Sequence, residues 1–372
     1  MTIGKVAIIT VSAIAGLMLA YLLFWPVPVD PVKWEAPAFK GYAGVHAPND
    51  RLHNTNVASL GEFREPEQIV VGPDGRLYTG VRGGKVLRMN QDLSGIEVFA
   101  DTHGRVLGFA FDTAGNMIAA DAMQGLIAIS PTGRITLLSD EVNGSKYLYP
   151  DAVAIAPNGK IYLTDASTRF SAKQWGSDLA NMLDMTEQSA TGRIIEFDPV
   201  THRTRILAHG LSFPNGMVVS SDQQYLFVAE TARYRIWKIS LAADSLDINI
   251  PSDQASLLLE NLPGFPDNLT RGLDGRIWVG FPGARDNNLD KASPFMRKLL
   301  LRLPAVFMPA PARRGHVMAF TEEGKIVADL QDTTGKIAET TGASETKDRI
   351  YIHHIDELAG IPWIEASKLK TQ

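Results

Sequence analysis

The sequence predicts an all-β fold, a six-bladed β-propeller preceded by an N-terminal transmembrane helix. One turn-and-strand motif recurs six times along the chain, which indicates the propeller. A long uncharged apolar run opens the chain, which indicates the helix. The remaining composition is that of a globular protein, with 372 residues, 45% of them hydrophobic and 21% charged. That length suits one large all-β domain with short appendages.

The recurring motif is a turn followed by a short strand of alternating apolar residues. Its six copies read PDGRLYTG (73–80), TAGNMIAAD (113–121), PNGKIYLTD (157–165), SDQQYLFVAE (221–230), LDGRIWVG (273–280) and KDRIYIHH (347–354). Asp-Gly or Asn-Gly ahead of such a strand is a strong hairpin signal. Successive copies are 40 to 73 residues apart, and repeats of ~40–50 residues with four strands each are typical of propeller blades. A β-sandwich is the rival fold, but it carries no long-period repeat.

The apolar run covers residues 6–25 and contains no charged side chain. Twenty helical residues at ~1.5 Å each span ~30 Å, about one hydrocarbon core. Lys5 precedes the run, and Tyr21 and Trp25 stand at its far end, where aromatic side chains prefer the membrane interface. These features predict a single-pass signal anchor with the propeller on the periplasmic, extracytoplasmic side. A cleaved signal peptide is the alternative.

The chain divides into three predicted parts and two insertions. The parts are a membrane anchor (1–25), a proline-containing linker (26–61) and the propeller (62–372). The long spacings between repeats leave room for insertions at 166–191 and 281–315. Within the second insertion, KASPFMRKLLLRLPAVF (291–307) predicts a short basic amphipathic helix. We expect it either to pack on one propeller face or to form a lid or membrane-surface contact.

Composition and motifs exclude several classes of function. The net charge is −5 and the pI about 5.9, so no broad basic surface is available to bind nucleic acid. The chain has no cysteine, which excludes disulfides, thiol nucleophiles and thiolate metal sites. The segment GVRGGK (80–85) lacks the spacing of a phosphate-binding loop. The absence of Gly-x-Ser-x-Gly argues against a serine hydrolase.

Oxygen-bearing side chains recur at the start of four blades. The four elements are EPEQIVV (65–71), YPDAVAI (149–155), FPNGMVV (213–219) and FPDNLTR (265–271). They contribute the candidate metal ligands Glu67, Asp151, Asn215, Asp267 and Asn268. Carboxylate and amide oxygens are the ligands of calcium, whereas zinc prefers nitrogen or sulphur. Each element alone is also ordinary turn chemistry, but their matching repeat phase favours one shared Ca²⁺ site.

These elements resemble those of the strictosidine synthase-like family. The resemblance is carried by FREPEQIVVGPDGRLYTG, PNGKIYLTDAS, LSFPNGMVVS and NLPGFPDNLTRGLDGRIWVG, and it runs from about Arg64 to His354. Within that family the pattern is nearest to the adipocyte plasma membrane-associated proteins. The wider superfamily (SMP-30/gluconolactonase/LRE) includes gluconolactonase, regucalcin-like proteins and paraoxonases. The resemblance implies a six-bladed propeller with a central calcium ion. By motif, Glu67, Asn215 and Asp267 match ligand positions, and Asn268 matches a further ligand of the paraoxonase branch.

The chain departs from the family pattern at two places. Relatives usually read Asn-Asp where this chain has Pro150-Asp151, so one amide ligand is missing, and Asp151 or water would fill its place. The alkaloid-condensing relative uses a catalytic glutamate shortly after the Trp-Val strand. Here Trp278-Val279 is followed by GFPGARDN, without glutamate. We therefore do not expect a Pictet–Spengler synthase.

The function favoured by these residues is calcium-dependent hydrolysis of lactones or aryl esters, a lactonase or arylesterase activity. The metal would polarise the carbonyl of a small-molecule substrate, and a nearby base would activate water. Asp267, Asp151 and His316 are the candidate bases, with Asp267 and His316 the ones we select as catalytic. His316 could instead be a satisfied core histidine. The alternative function is a non-catalytic propeller that binds a ligand or protein and keeps calcium for stability.

Overall fold

A computed structural model of the protein describes residues 3–285, 287–304, 306 and 313–370. Six sheets of four or five strands are arranged around a central channel, and all their strand pairs are antiparallel except one short parallel pair at the edge of the third sheet. The inner strands of all six sheets line this channel, which has a volume of about 640 Å³. The predicted six-bladed β-propeller is therefore confirmed.

The first four blades follow one another in chain order. Blade one contains β2 (Ile69–Val71), β3 (Leu77–Gly80), β4 (Lys85–Met89) and β5 (Glu97–Asp101). Blade two contains β6 (Val106–Phe111), β7 (Met117–Asp121), β8 (Gly125–Ile129) and β9 (Ile135–Ser139), followed by a small hairpin of β10 (Glu141–Val142) and β11 (Ser145–Lys146). Blade three contains β12 (Pro150–Ile155), β13 (Ile161–Asp165), β14 (Gly192–Asp198), β15 (Arg203–Leu211) and the edge strand β19 (Leu246–Asp247). Blade four contains β16 (Pro214–Val219), β17 (Tyr225–Glu230), β18 (Arg235–Ser240) and β20 (Ala255–Leu259).

The last two blades complete the ring. Blade five contains β21 (Leu269–Arg271), β22 (Ile277–Gly280), β23 (Gly315–Phe320) and β24 (Ile326–Asp332). Blade six contains β25 (Thr340–Glu345), β26 (Arg349–His354), β27 (Gly360–Glu365) and, outermost, β1 (Asn56–Ser59). Short 3-10 turns cover Gly44–His46, Thr231–Arg233, Leu273–Gly275 and Ala366–Lys370.

Blade six is built from both ends of the chain. Strand β1 pairs antiparallel with β27, from Asn56 opposite Trp363 to Ser59 opposite Gly360. The propeller thus begins at residue 56, six residues before the boundary expected at residue 62. Because blade six combines the first strand of the ring with the last three, pairing β1 with β27 holds the two ends of the propeller together.

The predicted hairpin turns sit between the first and second strands of the blades. In blade one, Val71 pairs with Leu77 across a turn in which the Gly75 N–H bonds the Gly72 carbonyl. Gly75 has φ +76°, a left-handed conformation that glycine adopts without steric cost. The strands after such turns are buried on both faces because adjacent blades pack face to face; all residues of β7 and β22 are buried.

Helix α1 (Ile3–Phe24) projects from the body, and none of its residues is buried. Its mean hydropathy is 2.4 over the most apolar window, and in the described part of the chain it is the one helix long and apolar enough to cross a membrane. A signal sequence near the N-terminus has the same properties. The predicted N-terminal apolar helix is confirmed.

The two insertions carry the remaining helices. Helices α2 (Ala172–Trp175) and α3 (Ser177–Glu187) lie between β13 and β14. Helices α4 (Asn287–Lys291) and α5 (Pro294–Arg302) lie between β22 and β23. The amphipathic helix expected within 291–307 is thus α5, capped by the Ser293 side chain, which accepts from the Met296 N–H at 3.2 Å. Residues 305 and 307 of that segment lie outside the described residues.

Helix α5 packs against the end of α1 and the adjoining linker. The buried Arg302 donates from Nε to the Trp25 carbonyl at 2.6 Å and from Nη1 to the Leu22 carbonyl at 3.2 Å. The Leu22 carbonyl lies in the last turn of α1 and the Trp25 carbonyl directly after it, where carbonyls have no partner inside the helix. Lys298 of α5 forms an ion pair with Asp30 at 2.8 Å. The apolar helix therefore leaves the propeller beside α5, where Phe295 and Met296 are exposed.

Candidate functional site

Irregular pairing at the start of most inner strands changes the direction of their first side chains. The β-ladder register shifts near the start of the inner strand in blades two, three, four and six. Such bulges bend a strand and are common beside functional sites. Two residues before the first regular pair of blades one to five, in order, stand Glu67, Leu107, Asp151, Asn215 and Asp267. Four of these five equivalent positions carry predicted ligands.

All five predicted ligands are buried at this end of the channel. Their exposed fractions are 8% for Glu67, 2% for Asp151, 3% for Asn215, 6% for Asp267 and 1% for Asn268. Burial of this many carboxyl and amide groups is costly unless each finds a partner. The distribution of those partners indicates what the site can hold.

Three of the buried oxygens have no hydrogen-bond partner among the described residues. They are Oδ1 of Asp151, Oδ1 of Asn215 and Oδ1 of Asp267, from blades three, four and five. An unsatisfied buried acceptor costs about 1–3 kcal/mol, so three together need an explanation. A hard cation bound by oxygen would satisfy all three. The donor set therefore fits calcium.

The carboxyl groups of the site interact with one another. Burial raises the pKa of Glu67 to about 7, although the Arg105 guanidinium opposes the shift. Burial also raises the pKa of Asp151 well above its usual range, and the charges of Glu67 and Asp267 raise it further. The pKa of Asp267 is raised in the same way, by burial and by Glu67. Three acidic groups thus share one buried region, where a cation would favour their ionised forms.

Arg105 is a site residue that the sequence analysis did not select. Its Nη2 lies 2.7 Å from Glu67 Oε2 and 3.0 Å from Glu65 Oε2. Its Nη1 is buried and has no hydrogen-bond partner among the described residues. A signal was present, because Arg105 stands at the start of blade two in the same repeat phase as the selected elements. The predicted metal site consists of oxygen-bearing side chains, and an arginine is not among them.

Contacts between blades hold the site together. The Asn268 Nδ2 donates to the Glu67 carbonyl at 3.1 Å, and the Thr341 Oγ1 donates to the same carbonyl at 2.6 Å. Gly216, next to Asn215, faces the following blade so closely that a Cβ there would lie 2.5 Å from the Asn268 Cα. This tight approach packs the backbone beside Asn215 against the backbone of Asn268.

An apolar cluster covers this end of the channel. The Tyr149 and Phe213 rings meet edge to face with centroids 5.0 Å apart, and the Tyr149 hydroxyl donates to the Ser177 carbonyl at 3.2 Å. The same cluster includes residues of α2 and α3, the linker residue Val29 and, at its margin, Leu301 of α5. A cleft of about 440 Å³ beside Arg105 runs between blades one and two and these helices.

His316 belongs to a different cluster. It lies in β23 of blade five, is 1% exposed, and its Nε2 is 2.9 Å from Asp329 Oδ2. Its ring packs against Phe281, with centroids 4.6 Å apart. Among the described residues, the side-chain partners of His316 do not include the five predicted ligands. The structure therefore brings Asp267 together with the other acidic residues, and it groups His316 with Asp329.

The fold and the site define a class of protein: a six-bladed propeller with acidic and amide side chains gathered at one mouth of the channel. Comparison with family models matches residues 151–244 to strictosidine synthase and residues 44–89 to the N-terminal segment of the strictosidine synthase-like proteins. Protein STRICTOSIDINE SYNTHASE-LIKE 7 of Arabidopsis thaliana is 34% identical over 299 residues, covering 77% of this chain and 76% of that protein. The chain therefore belongs to the strictosidine synthase-like family.

Other similar proteins include membrane-associated and gluconolactonase-type propellers. The adipocyte plasma membrane-associated protein of Rattus norvegicus is 28% identical over 344 residues, covering 86% of this chain and 88% of that protein. A gluconolactonase structure from Xanthomonas campestris aligns with a TM-score of 0.56 at 16% identity, covering 91% of this chain and 97% of the other. The calcium-binding protein regucalcin from Agrobacterium tumefaciens aligns with a TM-score of 0.55 at 14% identity, covering 84% and 94%. The two structural likenesses show a shared fold of the gluconolactonase type.

Proposed function

We propose that this protein is a calcium-dependent hydrolase of lactones or aryl esters. The observation that carries the proposal is the set of three unpartnered buried oxygens on Asp151, Asn215 and Asp267. These oxygens, with Glu67 and Asn268, would hold the ion. The fold shared with gluconolactonase and with calcium-binding regucalcin supports this proposal.

The chain's own residues would divide the chemistry as follows. Bound calcium would polarise the substrate carbonyl and offset the negative charge that develops on its oxygen. Asp267, whose Oδ1 accepts no hydrogen bond, would take a proton from the attacking water. A bound cation would keep Asp267 in the ionised form that a general base needs. The apolar cluster around Tyr149 and Phe213 would exclude bulk water and favour an apolar acyl or aryl group.

His316 is not assigned to this reaction. Its contacts with Asp329 and Phe281 place it in another cluster, so the proposed base is Asp267 alone. The chain also carries no glutamate in the described residues directly after Trp278-Val279, and we do not propose a condensing activity.

The test is hydrolysis of small lactones and aryl esters by the full chain purified in detergent. We expect turnover of substrates such as δ-valerolactone or phenyl acetate that EDTA abolishes and added Ca²⁺ restores. Asp267→Asn should remove activity, whereas Asp274→Asn, an exposed aspartate in a turn, should retain it. A folded, calcium-loaded preparation that hydrolyses none of these substrates would contradict the proposal.

A second candidate is a non-catalytic propeller with structural calcium. The observation in its favour is that all five proposed ligands are less than 10% exposed beneath the apolar cluster. In that case Asp267→Asn lowers the melting temperature in Ca²⁺, but the wild type has no hydrolytic activity to lose. Measuring both quantities on the same samples separates the two candidates.

We also propose that α1 is a retained single-pass anchor and that the propeller faces the extracytoplasmic side. The likeness to the adipocyte plasma membrane-associated protein and the apolar helix support this arrangement. The chain lacks cysteine, so Val200→Cys, at a position 87% exposed on the propeller, introduces a unique thiol. A membrane-impermeant maleimide should label it in intact cells. Labelling only after lysis would indicate the opposite orientation. Recovery of the protein in the soluble fraction would indicate that the helix is cleaved.

A further inference from the structure

A cluster of two histidines and one aspartate lies away from the proposed calcium site. His46 comes from the linker, and His316 and Asp329 come from the third and fourth strands of blade five. The Nδ1 of His46 lies 2.8 Å from Asp329 Oδ2, and the Nε2 of His316 lies 2.9 Å from the same oxygen. These three atoms all lie within 4.8 Å of one another. Two imidazole nitrogens and one carboxylate oxygen thus converge on a single point.

We propose that this cluster binds a divalent transition metal of the zinc type. Zinc is bound by two histidines and one carboxylate in known protein sites, with Zn–N and Zn–O distances of ~2.0–2.2 Å. Tetrahedral ligands at that distance stand ~3.3 Å apart, so the rings would retreat from Asp329 by only about half an ångström. The hydrogen-bonded arrangement already has nearly the right spacing.

The carboxylate of Asp329 is oriented by neighbours that leave one oxygen for the metal. Gln331 Nε2 donates to Oδ1 at 2.6 Å, and Asn49 Nδ2 approaches the same oxygen at 3.4 Å. Oδ2 is left to the two histidines. Hydrogen bonds of this kind to the second oxygen are what orient a metal-binding carboxylate.

The histidine rings are held in place by packing. Phe281 lies against the His316 ring at 4.6 Å between centroids, and Tyr42 lies 5.8 Å away. His316 Nδ1 is buried and has no partner among the described residues. With zinc bound, Nε2 would present a lone pair and the ring would carry its proton on Nδ1. The Nε2–H bond to Asp329 Oδ2 would then be lost, and the contacts of both groups with the metal would replace it.

The ligand types of the cluster favour zinc over calcium. Two imidazoles and only one carboxylate are present, and the neighbouring Arg51 and Arg314 oppose either cation equally. Calcium needs six to eight oxygens and gains little from imidazole, whereas zinc gains most of its binding energy from nitrogen. The cluster therefore differs in specificity from the acidic set at the channel mouth.

Access and position give the site a structural role. A cleft of about 370 Å³, lined by Val45, Asn49 and Arg51 of the linker and by Asp329 of β24, opens beside the carboxylate. His46 is the one ligand that the linker supplies; its side chain is 17% exposed. A bound metal would hold the linker against blade five and so restrict movement of the propeller relative to its N-terminal helix.

The experiment is a Zn²⁺ titration of the EDTA-stripped full chain in detergent with Ca²⁺ kept saturating, followed by calorimetry and by Co²⁺ visible absorption. We expect one Zn²⁺ per chain and a Co²⁺ spectrum that Zn²⁺ abolishes. His46→Gln should weaken zinc binding by at least about tenfold, since even loss of a ligand's supporting partner costs that much. His53→Gln, an exposed histidine of the same linker, should leave it unchanged.

Hydrogen exchange supplies a second measurement. Zinc should slow exchange of the amides of residues 44–52 in the wild type and in His53→Gln, but not in His46→Gln. His46 is part-buried and contacts Asp329, so its replacement should lower the melting temperature without metal, and the effect of zinc is therefore measured as the difference with and without metal in each variant. The proposal is overturned by an absence of saturable zinc binding, by equal binding to His46→Gln, or by binding that Asp267→Asn abolishes.

Discussion

Arg105→Gln is predicted to tighten calcium binding while weakening the metal-free protein. Arg105 donates to Glu67 at 2.7 Å and also contacts Glu65, so it supplies the positive charge that a calcium ion would otherwise bring. With the guanidinium in place, calcium must share Glu67 with it and bind next to a like charge. Removing the guanidinium removes both penalties.

The magnitude follows from Coulomb's law and from the cost of breaking a buried pair. Unit charges ~4 Å apart interact by about 4 kcal/mol at an effective dielectric constant of ~20. If relaxation recovers half or more of that energy, calcium affinity should rise about 10- to 100-fold. Without metal, Glu67 loses its partner, which costs about 3–5 kcal/mol for a buried pair. Partial protonation of Glu67, whose pKa burial already raises to about 7, reduces that loss.

The assay is a calcium titration by calorimetry, together with thermal unfolding in EDTA and in saturating Ca²⁺. Arg105→Gln should melt below the wild type in EDTA and recover most of the difference in Ca²⁺. Arg193→Gln is the matched control, because Arg193 is equally buried and bonds Asp165 at 2.9 Å rather than a proposed ligand. It should lose stability without gaining affinity. Unchanged or weaker calcium binding in Arg105→Gln would refute the competition between the arginine and the ion.

Three further predictions concern the surroundings of the site. Burial raises the pKa of Asp184 in α3 to about 7, above its unfolded value of ~3.9. The contribution of this group to stability is therefore complete below about pH 4 and is lost as the pH rises through about 7. Asp184→Asn should therefore stabilise the protein at pH 8 and not at pH 4, as measured by urea unfolding, and an equal effect at both pH values would contradict this. Gly216→Ala should destabilise the protein by about 1–3 kcal/mol and weaken calcium binding, because its Cβ would lie 2.5 Å from the Asn268 Cα. A melting curve of the variant that equals that of the wild type would contradict this and would show that the blades can move apart. Arg302→Gln should speed hydrogen exchange in α5, since it removes the bonds to the Leu22 and Trp25 carbonyls at the end of α1. Unchanged exchange would mean that Lys298 and apolar packing alone hold α5 in place.

The repeats were sufficient to predict the propeller because each blade restates the same local pattern. Turns such as Pro73-Asp74-Gly75 fix hairpins through backbone geometry, and β-branched strands buried on both faces indicate packed blades. The ends of the propeller were harder to predict. Strand β1 lies in a segment without clear alternation, and its pairing with β27 depends on ring closure across more than 300 residues.

The candidate site was predictable where repeat phase and side-chain chemistry agree. Glu67, Asp151, Asn215 and Asp267 occupy equivalent positions, so one geometric rule places them all. Arg105 was not predicted, although it stands at the start of blade two, because a cation is not a metal ligand and its ion pair with Glu67 joins two blades. The proximity of His316 to His46 could not be predicted from the sequence either. It joins blade five to the linker, and only the folded path of the linker brings the two rings together.

The closure of blade six by β1 also determines how this protein could be shed from a membrane. The linker runs from the apolar helix over blade five and then enters the ring as β1. A protease that cuts between about residues 35 and 43, where Glu35 and Lys40 are exposed, would release a propeller whose ring stays closed. A cut after residue 59 would instead remove the strand that locks the ring, so only the first of these cuts would yield a stable soluble form.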